Sequence, residues 1–274
     1  MAVGSPGSRV RRLRHVLRTR VSEHPSLYLP FARRRYPGPS PEVIGSETEL
    51  VIDGYTRSAT TFAVYAFQLV QARPVRIAHH LHAPAQLVAA AKSGVPALVV
   101  IREPEGAILS QLVREPDVVL RDALVAYARF YTRLLPWRAS FVVGEFEEVT
   151  NDFGAVVRRL NEHFGTSFTE FTHTEQNLVE VFELIEKRPT LSKTLLGFES
   201  GVVTLDELRA ARHDLARQSQ ELGTSDLWVP STRRDRSKAA LRERWLDDDL
   251  DELRARAQLV YRRFLADAGP RPRR

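Results

Sequence analysis

The chain lacks cysteine altogether and has one methionine among its 274 residues. The absence of cysteine excludes disulfide bonds, zinc–thiolate sites and a thiol nucleophile. No apolar run approaches the roughly 18 residues that a membrane-spanning helix needs. The first residues include arginines but no continuous apolar stretch before a small-residue cleavage site, so we predict no signal peptide. These absences lead us to expect a soluble cytoplasmic protein, although a lack of cysteine alone says little about location.

The charge of the chain is positive, with 40 Lys and Arg against 34 Asp and Glu, and it is unevenly placed. One basic cluster in the first segment has a single acidic neighbour, Glu23, and consists of Arg9, Arg11, Arg12, Arg14, Arg18, Arg20, Arg33, Arg34 and Arg35. A second basic cluster consists of Arg233, Arg234, Arg236, Lys238, Arg242 and Arg244. Such clusters bind nucleic acid, anionic lipid or anionic small molecules.

A compositional preference for arginine on solvated surfaces is the alternative explanation, and we favour it for the N-terminal cluster. We expect no nucleic-acid partner, because neither cluster accompanies a helix-turn-helix, a zinc ligand set or an aromatic RNA-binding motif. Peripheral contact of the arginine-rich N-terminus with an anionic membrane stays open. The sequence does not indicate an oligomeric state.

The order of apolar segments predicts an α/β fold with two parts. Residues 1–45 are rich in Arg, Pro and Ser and are predicted to form a basic N-terminal arm and linker, in which the arm is partly ordered or a short helix. Residues 46–274 are predicted to form an α/β domain with a mostly helical C-terminal region. Apolar strands are expected at residues 50–53, 75–78, 97–101 and 141–144, with helices between them, which implies a parallel β-sheet flanked by helices on both faces.

Helix start and stop signals complete this prediction. Helices are expected over residues 60–71, 84–92, 105–114 and 121–137. Another should be capped by Thr150 or Asn151 and end at Gly165. In the C-terminal region we expect helices over residues 174–187, over residues 204–222 with a capping box at Thr204, and over residues 236–265 with a break near 247–249.

The most informative segment is LVIDGYTRSATTF, residues 50–62. A strand, a small-residue loop and a helix in this order bring backbone N–H groups and the positive end of the helix to one point, which suits a phosphate. Arg57 adds a positive charge there, and Ser58, Thr60 and Thr61 add hydroxyl groups. The loop lacks the GxxxxGK[ST] pattern of the P-loop. Taken alone, it also fits an ordinary turn with an arginine that points to water.

A second segment, IREPEGAILS at residues 101–110, has an arginine at the end of a strand. Open α/β sheets bind ligands at the carboxyl ends of their strands, where Arg102 lies. Ser110 follows about two helical turns later, so both side chains could contact one phosphate. Alternatively, Arg102 pairs with Glu103 or Glu105, and Ser110 bonds to a helix carbonyl.

Three histidines, His79, His80 and His82, follow the second predicted strand. They could serve as a base, as metal ligands or as hydrogen-bonded scaffolding. No Asp or Glu occurs between Gly54 and Arg102 to complete a metal site. We therefore rank a general base above a metal site.

Together these segments resemble the sulfotransferase family, whose members use 3′-phosphoadenosine 5′-phosphosulfate as the sulfuryl donor. Residues 55–62 resemble the family's loop for the 5′-phosphosulfate. Arg102 and Ser110 have the eight-residue spacing of the family's pair for the 3′-phosphate, and His80-Leu81 resembles its His-Leu pair with a catalytic histidine. Residues 141–149 and 158–165 resemble the strand and helix that follow, and residues 230–234 correspond to a basic segment that closes over the nucleotide.

The resemblance covers roughly residues 50–165 and implies a P-loop-NTPase-like fold and specific residue roles. The implied catalytic residues are His80 or His82, together with Arg57. The implied nucleotide-binding residues are Tyr55, Thr56, Arg57, Ser58, Ala59, Thr60, Thr61, Arg102, Ser110, Arg233 and Arg234. No metal is implied, and the acceptor would be a hydroxyl or amine of a small molecule, a glycan or a lipid.

Three departures from the family pattern bear on activity. Ala59 stands where the family usually has glycine, so a positive φ there would be strained. His82 stands where many members have proline, which leaves two histidines as candidate bases. Some carbohydrate-type members use glutamate instead, which makes Glu145 and Glu147 outside candidates. The family's C-terminal Gly and Trp motif is also absent.

Three other functions compete with the enzymatic one. A weakly active or inactive homologue would bind a nucleotide or an anionic glycan without turnover. A P-loop kinase or NTPase would share the sheet and the loop but would need Mg²⁺ and normally the loop lysine. A module for nucleic acid or anionic membranes would depend on the N-terminal arginines.

Overall fold

The computed structural model describes residues 6–35, 42–222 and 232–266. Its sheet has the spatial order β2-β1-β3-β4, with all strands parallel: β1 (Leu50–Gly54), β2 (Ile77–His79), β3 (Ala97–Ile101) and β4 (Val142–Glu145). The helices are α1 (Pro6–Val21), α2 (Pro25–Arg35), α3 (Thr60–Val70), α4 (Pro84–Ser93), α5 (Pro104–Arg114), α6 (Leu120–Leu134), α7 (Phe146–Asn151), α8 (Phe153–Phe164), α9 (Glu175–Lys187), α10 (Lys193–Glu199), α11 (Leu205–Ala210), α12 (Arg212–Leu222), α13 (Thr232–Trp245) and α14 (Asp251–Ala266). The predicted fold class is confirmed: a parallel sheet is flanked by helices, and the C-terminal part is mostly helical. Within the described ranges, no helix is both long and apolar enough to cross a membrane.

Alternating side chains of the strands divide the core into two layers. Val51 and Val99 pack into a cluster with α4, α5, α6 and α14, whereas Ile52 and Leu98 pack into a cluster with α3, α8 and α9. Successive residues of a strand point to opposite faces, so both faces of each central strand are apolar. The ligand-accessible part of the sheet is therefore the edge formed by the strand ends.

Some predicted boundaries are wrong for local reasons. The second strand begins at Ile77 rather than at residue 75, because the side chain of Gln68 bonds to both backbone groups of Val75, at 2.7 and 3.2 Å. Thr150 does not cap the helix that ends at Gly165, since its hydroxyl bonds to the carbonyl of Phe146 within α7.

Asp152 caps that helix instead, and its carboxylate accepts from the N–H of Ala155 at 3.3 Å. Asn151, the other predicted cap, is the last residue of α7. The helix expected over residues 204–222 begins with the predicted capping box at Thr204 but divides at Ala211 into α11 and α12.

The first segment forms α1 and α2, where we predicted a partly ordered arm or a short helix followed by a linker. Tyr28, Leu29 and Ala32 of α2 are buried in the core cluster that contains α4. The carbonyl of Ser22, just after α1, accepts from the N–H of Ala85 at 2.9 Å. These two helices therefore pack onto the sheet domain. Part of the predicted linker, residues 36–41, lies outside the described residues, and the boundary at residue 45 stays a prediction.

Candidate functional site

The loop between β1 and α3 has a strained backbone. Gly54 lies so close to β3 that a Cβ atom there would be 2.0 Å from the carbonyl oxygen of Val100. Arg57 and Ala59 have φ values of 67° and 72°, so both occupy the left-handed region. When left-handed residues alternate with other residues in this way, successive backbone N–H groups form an anion-binding concavity. Ala59 directly precedes the N-terminus of α3, which also favours an anion. The alanine methyl group costs about 1 kcal/mol in this conformation relative to glycine.

A cavity of about 550 Å³ opens beside this loop, at the carboxyl ends of the strands. It is lined by nine of the sequence-predicted residues: Thr56, Arg57, Ala59, Thr60, Thr61, His80, His82, Arg102 and Ser110. Three further cationic residues line it, namely Arg114, Arg188 and Lys238, against one carboxylate, Glu115. A volume of this size suits a nucleotide, and the excess of cations favours a ligand with several negative charges.

Arg102 and Ser110, which were predicted to share a phosphate, both lie against Arg57 of the loop. Arg57 Nε donates to Ser110 Oγ at 3.1 Å, and Arg102 Nη1 lies 3.5 Å from the carbonyl oxygen of Arg57. The guanidinium of Arg102 lies 3.8 Å from the centre of the Phe146 ring. The alternative partners of Arg102 have other roles, because Glu103 caps α5. Glu105, the second alternative, pairs with Arg242.

His82 is held in one orientation by the end of β1. Its Nδ1 lies 2.9 Å from the carbonyl oxygen of Gly54 and 3.3 Å from Asp53 Oδ1. Both neighbours are acceptors, so we assign the hydrogen to Nδ1. Nε2 is then the basic nitrogen, and it makes no hydrogen bond to a described residue. This is the arrangement that orients a histidine as a general base.

Asp53 is a buried anchor for this histidine. Its side chain is fully buried, and its carboxylate accepts from the backbone N–H groups of Gly54 and His82, at 2.9 Å and 3.1–3.2 Å, and from Gln86 Nε2 at 3.3 Å. Because the polar groups of Asp53 are satisfied, it holds the imidazole without moving itself. His82 has a φ of 48°, a strained conformation of the kind found at ligand sites.

His80 has both ring nitrogens in hydrogen bonds to protein groups. Nδ1 lies 2.6 Å from His79 Nδ1, and Nε2 lies 2.9 Å from the hydroxyl of Thr61. Burial, followed by the nearby charges of Arg188 and the other histidines, lowers the pKa of His80 well below its usual value. Burial also lowers the pKa of His79, to about 3. Both imidazoles are therefore neutral at pH 7. Because both ring nitrogens of His80 are in hydrogen bonds, neither is available to take a proton from a substrate.

A buried ion pair lies behind His80. Arg188 Nε is 2.7 Å from Glu199 Oε1, and the hydroxyl of Tyr65 donates to the same oxygen at 2.5 Å. Burial raises the pKa of Glu199, whereas Arg188 and the Tyr65 hydrogen bond lower it. The ligand atoms of His79, His80 and Glu199 lie within 4.8 Å of one another, a spacing that could hold a metal. A cation there would face the positive charge of Arg188, so the group favours an ion pair over a metal.

Two predicted loop residues are not part of the cavity wall. The Tyr55 side chain is buried, and its hydroxyl donates to Gln111 Oε1 at 2.6 Å. The backbone N–H of Tyr55 donates to the hydroxyl of Tyr131 at 3.3 Å. Ser58 is fully buried and does not line the cavity. Tyr55 and Ser58 therefore support the loop, and neither lines this cavity, although Tyr55 lines a smaller one nearby.

The remaining candidates lie elsewhere or outside the described residues. Glu145 accepts a hydrogen bond from the hydroxyl of Tyr261, and neither Glu145 nor Glu147 lines the cavity. Residues 230 and 231 of the predicted closing segment lie outside the described residues. The backbones of Arg233 and Arg234 belong to α13, but their side chains lie outside the described part of the structure.

A smaller cavity of about 100 Å³ also borders His82. Its lining includes Thr19 and Ser22 from the α1 region, Phe130 of α6, and three residues that also line the larger cavity, namely Thr56, His82 and Glu115. His82 therefore borders both a cationic nucleotide-sized space and a separate small space.

Sequence reasoning missed several residues of the site. Asp53 had a signal, because a carboxylate at the end of an otherwise apolar strand needs a buried partner. No sequence signal pointed to Arg188, since an arginine at the end of a helix ordinarily complements the helix dipole. The same holds for Arg114 at the end of α5 and for Lys238 within a basic cluster.

No family model, curated protein or solved structure matches this chain. The resemblance to sulfotransferases therefore depends on the order and spacing of the motifs themselves.

Proposed function

We propose that this protein is a sulfotransferase that moves a sulfuryl group from 3′-phosphoadenosine 5′-phosphosulfate to a hydroxyl or amine, with His82 as the base. The observation that carries the proposal is the position of an oriented imidazole at the edge of a strongly cationic cavity. Five cationic side chains and one carboxylate line that cavity, and one of the five, Arg188, is paired with Glu199. A nucleotide with separate phosphate and phosphosulfate groups matches this excess of positive charge.

The donor would occupy the cavity with its two anionic ends against different residues. The phosphosulfate lies at the loop, where Arg57, Thr60 and Thr61 border the N-terminus of α3. Thr60 is buried, and its Oγ1 has no hydrogen-bond partner among the described residues, so it has a donor to offer. The 3′-phosphate lies at Arg102 and Ser110, both of which line the cavity.

The chemical step transfers one sulfuryl group and one proton. The acceptor oxygen or nitrogen forms a bond to sulfur while the bond from sulfur to the 5′-phosphate oxygen breaks. The acceptor proton passes to His82 Nε2, and the leaving group is adenosine 3′,5′-bisphosphate. Charge develops on the leaving oxygen, where Arg57 and the start of α3 stabilise it. Positioning and fixed positive charge therefore supply most of the catalysis, as in phosphoryl transfer.

The small cavity is the proposed place for the acceptor. Thr56, His82 and Glu115 border both cavities, so a group that enters from the small cavity would lie beside the base and next to the donor space. Hydroxyl groups of Thr19 and Ser22 and the phenyl ring of Phe130 line its walls. A volume of about 100 Å³ holds the reacting group of an acceptor, with the rest of a larger molecule outside.

A second candidate function is favoured by the backbone at Ala59. Its φ of 72° places a methyl group in a conformation that suits glycine. An inactive homologue could retain this strain while it binds a nucleotide without turnover. Donor binding without transfer to any hydroxyl would identify that case.

Calorimetric titration with adenosine 3′,5′-bisphosphate, without metal and with 5′-AMP as the control, tests the proposed site. We expect micromolar binding of the bisphosphate and much weaker binding of 5′-AMP. Equal affinities, or preferred binding of ATP with Mg²⁺, would contradict the proposal and favour a kinase-like site.

The variant Arg102→Ala tests the 3′-phosphate subsite in the same titration. A hydrogen bond to a charged group contributes about 1.5–3 kcal/mol, so affinity for the bisphosphate should fall about 10- to 150-fold. Affinity for 5′-AMP should change little. An equal loss for both nucleotides would remove Arg102 from this role.

A further inference from the structure

The outer face of α1 is apolar, although the helix packs onto the protein. Leu13 and Leu17 are 68% and 59% exposed, and Val10 is 57% exposed one turn earlier. At 100° per residue these three side chains lie within a sector of about 60°. An exposed apolar stripe of this kind indicates a surface that contacts something else.

The opposite face of α1 already contacts the rest of the protein, so the exposed apolar side chains are not needed to pack this helix onto the core. Arg12 pairs with Asp122 at 2.5 Å. Thr19 and Ser22 line the small cavity. Glu23, the one acidic residue of the segment, pairs with Arg129 at 2.6 Å.

Arginines flank the stripe on both sides. On the helix, Arg14 lies about 40° beyond Val10, and Arg20 lies about 20° before Leu13. Both side chains are exposed, and neither has an ion pair or hydrogen bond to a described residue. An apolar stripe between cations is the pattern of a helix that lies in the plane of a membrane surface.

The next helix repeats the pattern. Leu27 and Phe31 of α2 lie one turn apart and are 62% and 63% exposed. Arg34 and Arg35 follow them and are exposed as well. The buried residues of α2 face the core, so this helix also carries its apolar pair on the outside.

We propose that the outer faces of α1 and α2 bind the surface of a bilayer that contains anionic phospholipid. The leucines and Phe31 enter the headgroup region, while the arginines contact lipid phosphates. Nucleic acid fits this surface less well, because it would leave the apolar side chains against water or phosphate. A compositional preference for arginine on solvated surfaces was the explanation favoured from the sequence for this cluster. It does not explain the exposed leucines between the arginines.

Membrane binding through this face would fix the position of the small cavity relative to the lipid. The inner side of the α1 region lines that cavity through Thr19 and Ser22, while the outer side of α1 would contact lipid. One helix would thus separate a membrane surface from the space beside His82. The lipid proposal itself does not depend on the chemistry proposed for that space.

Flotation of the full-length chain with vesicles tests the proposal. Vesicles of phosphatidylcholine are compared with vesicles that contain about one third phosphatidylglycerol, at about 0.1 M salt. We expect binding to the anionic vesicles alone, weakened by added salt because the Debye length shortens. Absence of binding, or equal binding to both vesicles, would overturn the proposal.

Paired variants separate the apolar from the charged contribution. Leu13→Glu with Leu17→Glu should weaken binding at least about 100-fold, since each leucine loses its burial in lipid. Arg14→Ala with Arg20→Ala should weaken it about 25-fold, or about fivefold per arginine. The matched control is Leu246→Glu with Leu259→Glu, at sites that are 69% and 65% exposed, and it should bind as the wild type does.

Two other results would also overturn the proposal. If the α1 leucine variant binds vesicles normally but changes the mass in light scattering, a second copy of the chain covers this face. If duplex DNA binds as tightly as the vesicles and the leucine variant leaves that affinity unchanged, the arginines serve nucleic acid. Circular dichroism melting verifies that each variant is folded before it is compared.

Discussion

Two groups of histidines and carboxylates lie at neighbouring strand ends, and they differ in whether a histidine nitrogen remains available to a ligand. In the first, Asp53 holds His82 through Nδ1, and His82 borders both cavities. In the second, His79 bonds to His80, and Glu199 bonds to Tyr65 and Arg188. The residue types are nearly the same. The first group leaves Nε2 of His82 open to ligands and is suited to catalysis. The second group is closed in the sense that His80 and Arg188, although they line the larger cavity, already bond to protein groups and hold the fold together.

A histidine becomes a candidate base through its neighbours more than through its position in a motif. His80 occupies the position that the family resemblance favoured, but both of its nitrogens are in hydrogen bonds. His82 occupies a position where many members of that family have proline. Its carbonyl and carboxylate neighbours fix the tautomer and direct the basic nitrogen away from β1.

Removal of Arg188 is the strongest stability test of the closed group. Arg188→Ala leaves the fully buried Glu199 without its cation, and we expect a loss of about 3–5 kcal/mol in the free energy of unfolding. The control Arg209→Ala breaks an exposed pair with Glu180 and should cost at most about 1 kcal/mol. Urea denaturation measures both, and equal losses would mean that the buried pair does not stabilise the fold.

A pH series tests the buried histidines of the same group. The pKa of His79 is lowered to about 3 in the folded protein, so the unfolded chain takes up this proton first as pH falls below about 6.5. Stability should therefore decrease by about 1.4 kcal/mol per pH unit from this residue between pH 6.5 and pH 3. His79→Gln should reduce the difference between pH 7 and pH 5 in urea denaturation by about 2 kcal/mol. The exposed control His213→Gln should follow the wild type, and a similar slope in both variants would contradict the assignment.

The loop that reaches both groups gives the smallest expected effect. Thr56 borders the small cavity with His82, and Thr61 bonds to His80, with Ala59 between them. Ala59→Gly should stabilise the protein by up to about 1 kcal/mol, because the residue is left-handed at φ 72°.

The control for that change is Ala239→Gly, at an exposed position inside α13, which should cost about 1 kcal/mol. Thermal melting of the two variants gives the comparison. The same sign for both substitutions would show that Ala59 carries no strain.

The sequence predicted the fold well where local signals decide the structure. The run at residues 97–101 is apolar throughout and forms β3 with the predicted bounds. Gly165 ends α8 in the left-handed conformation expected of a helix terminus. Boundaries failed where a distant side chain intervened, as Gln68 does at Val75. Such contacts are set by tertiary packing and have no local signature.

Part of the site was predictable because it depends on the order of the strands. The strand ends bring Arg57, Arg102 and Ser110 together because parallel strands end at one edge of the sheet. The choice between His80 and His82 was not predictable, because it depends on which hydrogen bonds each imidazole makes. Arg188 comes to the cavity from a segment more than 70 residues beyond Ser110, and its role depends on Glu199.

The most direct test of the central claim is the release of labelled sulfate from 3′-phosphoadenosine 5′-phosphosulfate to water, without metal. The wild type is compared with His82→Ala and His80→Ala, each first shown to bind adenosine 3′,5′-bisphosphate as the wild type does. We predict that His82→Ala lowers the rate about 10²–10⁴-fold, the usual contribution of a general base, and that His80→Ala stays within about tenfold of the wild type. A larger loss in His80→Ala, or no loss in His82→Ala, would contradict the account.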